Sequence, residues 1–272
     1  MKQLRIATCL TLPEPDVDEV PLSEALAAAG VEAQLLAWDD PAVDWSAPIP
    51  TIIRSTWNYA LALDAFLAWI DRVPVLWNPR DVVHDNVRKR YLLALHARGV
   101  PVVPTLLVER GQTAELPPAR IVIKPEVGGG SLHARVFEPG DPEAMQHLAF
   151  ITARGAALVQ PYLRSVDDYG ERSLVWIDGE LTHAIRKTPR FVGDAEKIEG
   201  PFPIADDERA VADAALAPYK ERILYGRVDV ARDDGGAPVV MELELVEPSL
   251  FFLRYPPSLD RYIAGLGKRL NW

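Results

Sequence analysis

The first third of the chain alternates short apolar runs with amphipathic segments. Apolar runs of strand length occur at residues 4–10, 31–38, 51–54 and 73–77. Segments 21–29 and 61–70 instead carry apolar residues at helical spacing, and the first of them ends at Gly30. Because strands and helices alternate, this part of the chain predicts a parallel sheet with helices on both faces.

A polar segment follows the third predicted strand, beginning at Arg54 and ending at Tyr59. Ligands of parallel sheets bind beyond the carboxyl ends of the strands. Arg54, Ser55 and Tyr59 are therefore candidates to hold a substrate. The alternative is a loop whose Trp57 and Tyr59 pack on the neighbouring helix.

The rest of the chain mixes both kinds of element. Residues 86–98 predict a helix with Asp85 as its N-cap and Gly99 beyond its end. Further strands are predicted at residues 100–108, 120–125 and 157–163, a hairpin around Asp178 and Gly179, and a helix at residues 204–218.

A glycine-rich segment follows the strand that contains Lys124. Gly128, Gly129 and Gly130 precede Ser131, and residues without a Cβ let backbone N–H groups crowd around an anion. The segment lacks the ending of a Walker loop and the spacing of a Rossmann fingerprint. It is either a flexible turn or a phosphate-binding lid, and the preceding lysine favours the lid.

Three acids near the end of the chain predict a metal site. Glu242 and Glu244 interrupt an apolar run and share one face of the predicted strand. The opposite face is apolar, with Met241, Leu243 and Leu245. A turn at residues 232–237 predicts a hairpin that brings Asp229 alongside. Hard carboxylate oxygens suit Mg²⁺ or Mn²⁺ that shares phosphate oxygens with a nucleotide; the alternative is a sheet face turned to solvent.

The composition indicates globular units with substantial cores: 272 residues, 49% of them hydrophobic. A formal net charge of -10 argues against nucleic acid as the main partner. No apolar run is long enough to span a bilayer, and the N-terminal run reads as a strand rather than a signal peptide, so we predict a cytoplasmic protein without a membrane partner. Cys9 is the only cysteine, and we expect it to be buried rather than a nucleophile.

Taken in order, several motifs resemble those of the ATP-grasp ligases. They are Lys89, Ile123-Lys124-Pro125 with its glycine-rich loop, Val159-Gln160-Pro161-Tyr162, Gly170-Glu171, Arg186-Lys187, Val228-Asp229 and Glu242-Leu243-Glu244. The resemblance covers residues 78–249. The chain resembles in particular the glutathione-synthetase-like ligases and the ligases that add glutamate to a ribosomal protein. Among these it is similar to a bacterial branch that includes a cycloserine-forming synthetase.

The resemblance implies an α/β fold with three units. A Rossmann-like parallel sheet, the pre-ATP-grasp domain, would span residues 1–85. A two-lobed α+β ATP-grasp fold would follow. Its central lobe, with the glycine-rich lid, would span residues 86–158, and its C-terminal lobe, with the metal site, residues 159–272.

Carried over by position, the resemblance also implies a role for each motif. Lys89 and Lys124 would contact the nucleotide phosphates as cationic donors. The lid would consist of Gly128, Gly129, Gly130 and Ser131. The interlobe hinge, whose backbone would read the adenine edge, would consist of Gln160, Pro161, Tyr162 and Leu163. Glu171 would bind the ribose, and Lys187 replaces a family arginine near the transferred phosphoryl group. The metal ligands would be Asp229, Glu242 and Glu244.

Two positions depart from the family pattern. Glu244 stands where many relatives have asparagine, and Ser173 stands where glutathione-synthetase relatives have an arginine that holds an anionic substrate. Arg54, Arg186 and Arg254 are the candidates to compensate. The alternative for each is a surface cation or a salt-bridge partner.

The resemblance implies ATP-dependent ligation of a small amino-acid-like substrate. The γ-phosphoryl group would pass to a carboxylate, and an amine would then displace phosphate to leave an amide or a closed ring. The alternatives are a non-catalytic nucleotide-binding protein, phosphotransfer without ligation, and a peptide or glutamate ligase. Apolar side chains near the C-terminus also predict a homodimer.

Overall fold

The computed structural model describes residues 2–188 and 197–272. The strands are β1 (Lys2–Thr8), β2 (Val31–Ala37), β3 (Thr51–Ile53), β4 (Leu76–Trp77), β5 (Leu106–Val108), β6 (Ile121–Pro125), β7 (Arg135–Phe137), β8 (Ala157–Pro161), β9 (Glu171–Ile177), β10 (Glu180–Thr188), β11 (Lys197–Phe202), β12 (Tyr225–Arg232) and β13 (Pro238–Glu244). The helices are α1 (Glu19–Ala28), α2 (Leu63–Arg72), α3 (Arg80–Asn86), α4 (Tyr91–Ala97), α5 (Pro142–Thr152), α6 (Asp206–Leu216) and α7 (Pro256–Leu270).

The first sheet is parallel and has the strand order β2-β1-β3-β4. Ile6 and Ile52, at paired positions of β1 and β3, pack into the same apolar cluster as the buried side chains of α1. The next residues along each strand, Ala7 and Ile53, pack into a second cluster with those of α2. Alternate side chains thus bury two opposite faces, which confirms the predicted parallel sheet with helices on both sides.

Two antiparallel sheets follow, with strand orders β5-β8-β6-β7 and β11-β10-β9-β12-β13. They meet where the Val103 N–H donates to the Val240 carbonyl and the Val240 N–H donates to the Pro101 carbonyl, each at 2.9 Å. An apolar group that we call the intersheet cluster lies between them. It comprises Val103, Tyr162, Leu163, Val166, Ala231 and Val239. The predicted α/β class, with a parallel sheet ahead of two mixed lobes, is confirmed.

The helix predicted at residues 86–98 is confirmed only in part, over Tyr91–Ala97. The chain forms α3 and α4, separated by a turn at residues 87–90, so Lys89 lies in that turn and Asp85 lies inside α3. Asn86 provides the reason: its Nδ2 donates to the Leu243 carbonyl at 2.9 Å, and its Oδ1 accepts from the Leu245 N–H at 2.7 Å. These bonds attach the end of α3 to the β13 segment, where a continuous helix would leave both backbone groups without this partner. The domain boundary predicted between residues 85 and 86 falls within α3 and stays a prediction.

Several elements were not predicted from the pattern: β7, α5, β11 and α7. The longest of them, α7, packs Tyr262 and Leu266 into the cluster beneath the first sheet. Near the C-terminus, Leu253 is 68% exposed, whereas Trp272 packs against that cluster; the homodimer stays a prediction. Cys9 is buried, as predicted. In the described ranges, no helix is long and apolar enough to cross a membrane.

Candidate functional site

The predicted hairpin near the end of the chain is confirmed as β12 and β13. Its register places Asp229 opposite Glu242 and Arg227 opposite Glu244. Asp229 is 1% exposed, whereas Glu242 is 20% and Glu244 27% exposed. The three predicted metal ligands therefore lie on neighbouring strands, with one buried and two partly exposed.

A β-bulge changes the predicted apolar face of β13. Asp229 pairs with Glu242 but the next residue of β12 pairs with Val240, so Met241 is the extra residue on β13. Met241 packs against the intersheet cluster, while Leu243 packs into the core beneath the sheet. The prediction that Met241 shares a face with Leu243 is therefore wrong, because the bulge interrupts the alternation between them.

Two lysines from earlier in the chain converge on Glu242. Lys124 Nζ lies 2.7 Å from Glu242 Oε1, and Lys89 Nζ lies 3.4 Å from Oε2. Burial by itself would raise the pKa of Glu242, but Lys124 and Lys89 outweigh it and lower that pKa to about 2. The structure thus brings both predicted phosphate-binding lysines to a predicted metal ligand, across 118 residues of sequence in the case of Lys124.

Asp229 carries the densest set of ion pairs. Arg227 Nε and Nη2 donate to its two carboxylate oxygens, each at 2.8 Å, and Lys187 Nζ lies 3.0 Å from Oδ2. Burial by itself would raise the pKa of Asp229, but Arg227 and Lys187 hold that pKa below its ordinary value. Lys187 also pairs with Glu171, whose pKa burial raises to about 7 although Lys187 opposes the rise. The neighbouring cations therefore favour the anionic form of Asp229, whereas burial favours the protonated form of Glu171.

Arg227 is the site residue that the sequence reasoning missed. Its side chain is 7% exposed, and besides Asp229 it contacts Glu244 Oε2 at 2.8 Å. The signal was present as Arg227-Val228-Asp229, because residues two apart on a strand share a face. A forked guanidinium that holds two carboxylates is also suited to bind phosphoryl oxygens at two points.

The site is balanced in charge. Four carboxylates meet four cations, and they are Glu171, Asp229, Glu242 and Glu244 with Lys89, Lys124, Lys187 and Arg227. Within the described ranges, no three His, Cys, Asp or Glu side chains are grouped closely enough to hold a metal ion by themselves. Each acid forms an ion pair with a lysine or arginine instead. An incoming polyphosphate would therefore have to replace these carboxylates as the partner of each cation.

The glycine-rich segment lies beside Lys89. The Gly128 carbonyl accepts from Lys89 Nζ, and the Lys89 N–H donates to the Glu126 carbonyl at 2.9 Å. Gly130 has a φ of +57° and Ser131 a φ of +61°, a left-handed conformation that glycine adopts without steric cost. Of the predicted lid, Gly128 thus contacts Lys89, one of the two lysines predicted to bind phosphate.

The predicted hinge forms the end of β8 and the residues after it. The Gln160 side chain donates to Thr105 Oγ1 at 2.9 Å, and Pro161 is the last residue of the strand. The Tyr162 N–H already donates to the Arg120 carbonyl at 2.9 Å. Tyr162 and Leu163 belong to the intersheet cluster, so the predicted hinge packs into the apolar contact between the two antiparallel sheets.

The predicted substrate-binding arginines form no ion pair with the four carboxylates of the site in the described ranges. Arg54 is 2% exposed and contacts Asp18 and the Pro248 carbonyl. Arg186 pairs with Glu199 of β11, on the other face of β10 from Lys187, because neighbouring strand residues alternate. Arg254 lies near the surface, 3.5 Å from a backbone carbonyl of β11. Of the three predicted catalytic residues, Arg54, Arg186 and Lys187, the described structure joins only Lys187 to the predicted metal ligands.

A fifth acid lies beside the cluster. Burial raises the pKa of Glu247 to about 8, with Glu244 adding to the rise and Lys89 and the Tyr59 hydroxyl opposing it. Tyr59 belongs to the polar segment after β3. Tyr59 is buried and stacks near Phe66 of α2, as the packing alternative for that segment predicts.

The sequence and the structure both match known ligases. Residues 4–78 match the family model described as the N-terminal domain of D-cycloserine synthetase DcsG. The chain is 35% identical over 283 residues to the cycloserine biosynthesis protein DcsG of Streptomyces lavendulae. The alignment covers 94% of this chain and 95% of that protein. The crystal structure of D-cycloserine synthetase DcsG superposes with a TM-score of 0.89 and 34% identity, over 98% and 99% of the two chains.

A more distant structure shares the fold. D-alanine–D-alanine ligase from Bacillus anthracis superposes with a TM-score of 0.68 at 15% identity, over 99% of this chain and 97% of that one. The full-length similarity to DcsG, on a fold common to a second ligase, accounts for the order of motifs along the chain. The chain therefore belongs to the D-cycloserine synthetase family of the ATP-grasp ligases, enzymes that use ATP to form carbon–nitrogen bonds.

Proposed function

We propose that this protein phosphorylates the carboxylate of a small amino-acid-derived substrate with ATP and closes a ring by attack of a nitrogen of the same molecule. The observation that carries the proposal is the convergence of Lys89, Lys124, Lys187 and Arg227 on carboxylates of neighbouring strands. Four cations at one place match the charge of a bound triphosphate and of a phosphoryl group in transfer.

The nucleotide would lie between the two lobes. Its phosphates would take Lys124 and Lys89 from Glu242, with residues 128–131 closing over them. The adenine would lie against the intersheet cluster, and the backbone of Leu163 is the better candidate to read its edge, because the Tyr162 N–H is already bonded. Glu171 would accept from the ribose hydroxyls once Lys187 turns to the phosphoryl group.

The carboxylates fit Mg²⁺, or Mn²⁺, in type and in placement. They supply hard oxygen donors on paired strands, and Glu242 and Glu244 keep 20% and 27% of their side chains exposed. A nucleotide-bound Mg²⁺ usually keeps several waters and needs only one or two protein carboxylates. Glu242 and Glu244 would therefore be its main ligands, with Asp229 behind them. When bound, the ion neutralises the charge that develops on the phosphoryl oxygens.

The remaining steps fall to residues of the chain. Lys187 and Arg227 would hold the transferring phosphoryl group while the substrate carboxylate oxygen bonds to phosphorus and the bond to the ADP oxygen breaks. The nitrogen nucleophile then bonds to the acyl carbon, phosphate leaves, and the proton of that nitrogen passes to solvent or phosphate. Because an acylphosphate hydrolyses readily, the glycine-rich segment would need to exclude water until ring closure.

The similarity to cycloserine synthetase supports ring closure within one molecule rather than joining of two. The substrate would then carry both a carboxylate and a nitrogen nucleophile that can reach it. A cytoplasmic location, where ATP is abundant, agrees with this proposal.

The test is a panel of amino acids that bear a second nitrogen nucleophile, mixed with ATP and Mg²⁺. ADP should form together with a product lighter than its substrate by at least the elements of water. The variant Lys124→Met should remove that activity, and Arg209→Met, on the outer helix α6, should keep it. Tight nucleotide binding with no ADP from any substrate would overturn the proposal in favour of a regulatory protein, and a stable phosphorylated product would favour simple phosphotransfer.

A further inference from the structure

A buried carboxylate of the N-terminal unit holds the loop that follows β13. Asp18 is 0% exposed and stands at the N-cap position of α1, yet it makes no capping bond with its own helix. Its Oδ2 accepts from the N–H groups of Leu250 and Phe251 at 2.6 and 3.1 Å, and its Oδ1 accepts from the N–H of Phe252 at 2.8 Å. A side chain near the start of the chain thus satisfies three consecutive backbone donors more than 230 residues later.

Arg54 completes this arrangement from the end of β3. Its Nη2 lies 3.2 Å from Asp18 Oδ2, and its Nη1 donates to the Pro248 carbonyl at 3.1 Å. Trp57, three residues on, donates its indole N–H to the Glu247 carbonyl at 3.1 Å. Residues 247–252, which we call the anchored loop, are therefore bonded at both ends to the N-cap of α1 and the segment after β3.

The anchored loop in turn touches the reaction centre. The Ser249 carbonyl, between the two anchored ends, accepts from Arg227 Nη1 at 3.3 Å. The other nitrogens of that guanidinium hold Asp229 and Glu244. Phe251 has a φ of +55°, a left-handed conformation that a bulky residue adopts only when its surroundings enforce it.

We propose that Asp18 and Arg54 are positioning residues, which fix the anchored loop so that the Ser249 carbonyl orients Arg227 for phosphoryl transfer. The inference rests on the proposed function, because it takes Arg227 as a group that binds the reacting phosphoryl. It assigns to Arg54 a role through another residue in place of direct contact with substrate. It also gives the N-terminal unit a part in catalysis at a site built on the C-terminal sheet.

The first experiment follows the loop without any turnover. Amide hydrogen exchange in the peptide that spans residues 247–253 should rise in Asp18→Asn, because the amide group offers one acceptor where the carboxylate offers two. The matched control is Glu208→Gln. Glu208 is likewise 0% exposed and accepts from an arginine and a backbone N–H, but it has no bond to the anchored loop. Unchanged exchange in Asp18→Asn would overturn the inference whether or not ligation is observed.

The second experiment is a double-mutant cycle in kcat, run well below the unfolding temperature of each variant. Asp18→Asn should lower kcat by about tenfold or more, since small misplacements of a reacting group are costly, while the KM for ATP stays within about twofold. In an Arg227→Lys background the same change should cost less than about threefold, because the residue it positions is gone.

A purely structural role gives a different result. Glu208→Gln should lose thermal stability to a similar extent yet keep its kcat. If Asp18→Asn and Glu208→Gln had equal kcat, or if the effects of Asp18→Asn and Arg227→Lys simply multiplied, the positioning role would be excluded. Arg54→Lys keeps the charge but lacks the forked guanidinium that bonds both Asp18 and the Pro248 carbonyl. If Asp18→Asn fails to fold, Arg54→Lys replaces it in the double-mutant cycle with Arg227→Lys.

Discussion

Replacing Glu242 by glutamine separates the stability of the ligand-free protein from its catalysis. Glu242 is the carboxylate between Lys124 and Lys89, whose side chains are only 10% and 11% exposed. Glu242→Gln keeps the shape and removes the charge, which leaves two nearly buried ammonium groups without their anion. We expect a less stable protein that still folds, because the apolar cores lie elsewhere.

The magnitude follows from the pKa of Glu242, which the two lysines lower to about 2. Relative to an ordinary glutamate this is worth at most ~3 kcal/mol, at 1.36 kcal/mol for each pH unit. Loss of one partner from a buried ion pair costs a similar amount, about 3–5 kcal/mol. For a chain of this size ~3 kcal/mol corresponds to a fall in Tm of roughly 6–10 °C.

The lowered pKa of Glu242 also determines how its contribution to stability changes with pH. Because the folded-state pKa is lowered, the contribution is fully present above the ordinary glutamate value and is lost as the pH falls toward about 2. Wild type and Glu242→Gln should therefore differ in Tm at neutral pH and approach each other on acidification.

The assay combines thermal unfolding with nucleotide binding and turnover. With EDTA present to remove Mg²⁺, ATP should bind Glu242→Gln at least as tightly as it binds wild type, because the competing carboxylate is gone. Bound ATP should also restore much of the lost stability. Turnover that depends on Mg²⁺ should vanish. The control is Glu138→Gln, in an exposed pair with Arg120, where we expect a change below about 0.5 kcal/mol. Normal stability, or preserved turnover, in Glu242→Gln would refute the assignment.

Three further predictions concern other parts of the site. Lys124→Met should weaken ATP binding by about tenfold or more, since a charge-assisted contact is worth roughly 1.5–3 kcal/mol, and titration calorimetry would measure it; an unchanged affinity would exclude a phosphate contact. Asn86→Ala should destabilise the protein by about 2–3 kcal/mol in urea unfolding, because it leaves the Leu243 carbonyl and the Leu245 N–H without their partner; a change below about 0.5 kcal/mol would contradict this. Glu247, whose folded-state pKa is raised to about 8, should favour folding below the ordinary glutamate pKa and lose that contribution as the pH rises through about 8. Glu247→Gln should flatten the fall in Tm between pH ~5 and ~9, and an equally steep fall in the variant would assign it to other groups.

Much of the fold was predictable because it depends on local periodicity. The apolar runs of β1 and β3 and the spacing of α1 and α2 predict a parallel sheet, which the structure confirms. The alternation around Glu242 and the turn before β13 predict the hairpin that brings Asp229 alongside, also confirmed. These features depend on neighbours in sequence, and the physical chemistry of strands and turns acts at that range.

The errors occur where distant segments outweigh local preference. Residues 86–98 have a helical pattern, but two hydrogen bonds from Asn86 to the β13 segment interrupt the helix before Lys89. Arg54 has the position of a ligand-binding residue at a strand end, but Asp18 and the Pro248 carbonyl occupy its guanidinium. In both cases the partner lies more than thirty residues away, where no sequence window includes it.

By itself the sequence determined the class of elements and the residue types available for phosphate and metal chemistry, because periodicity and charge are properties of the chain. Only the tertiary structure decided which cation meets which acid. Lys124 meets Glu242 across two sheets, and Lys187 meets Asp229, and Arg227 meets Glu244, across strands of one sheet. The strength of each depends on distance and burial, and both quantities exist only once the lobes have packed together.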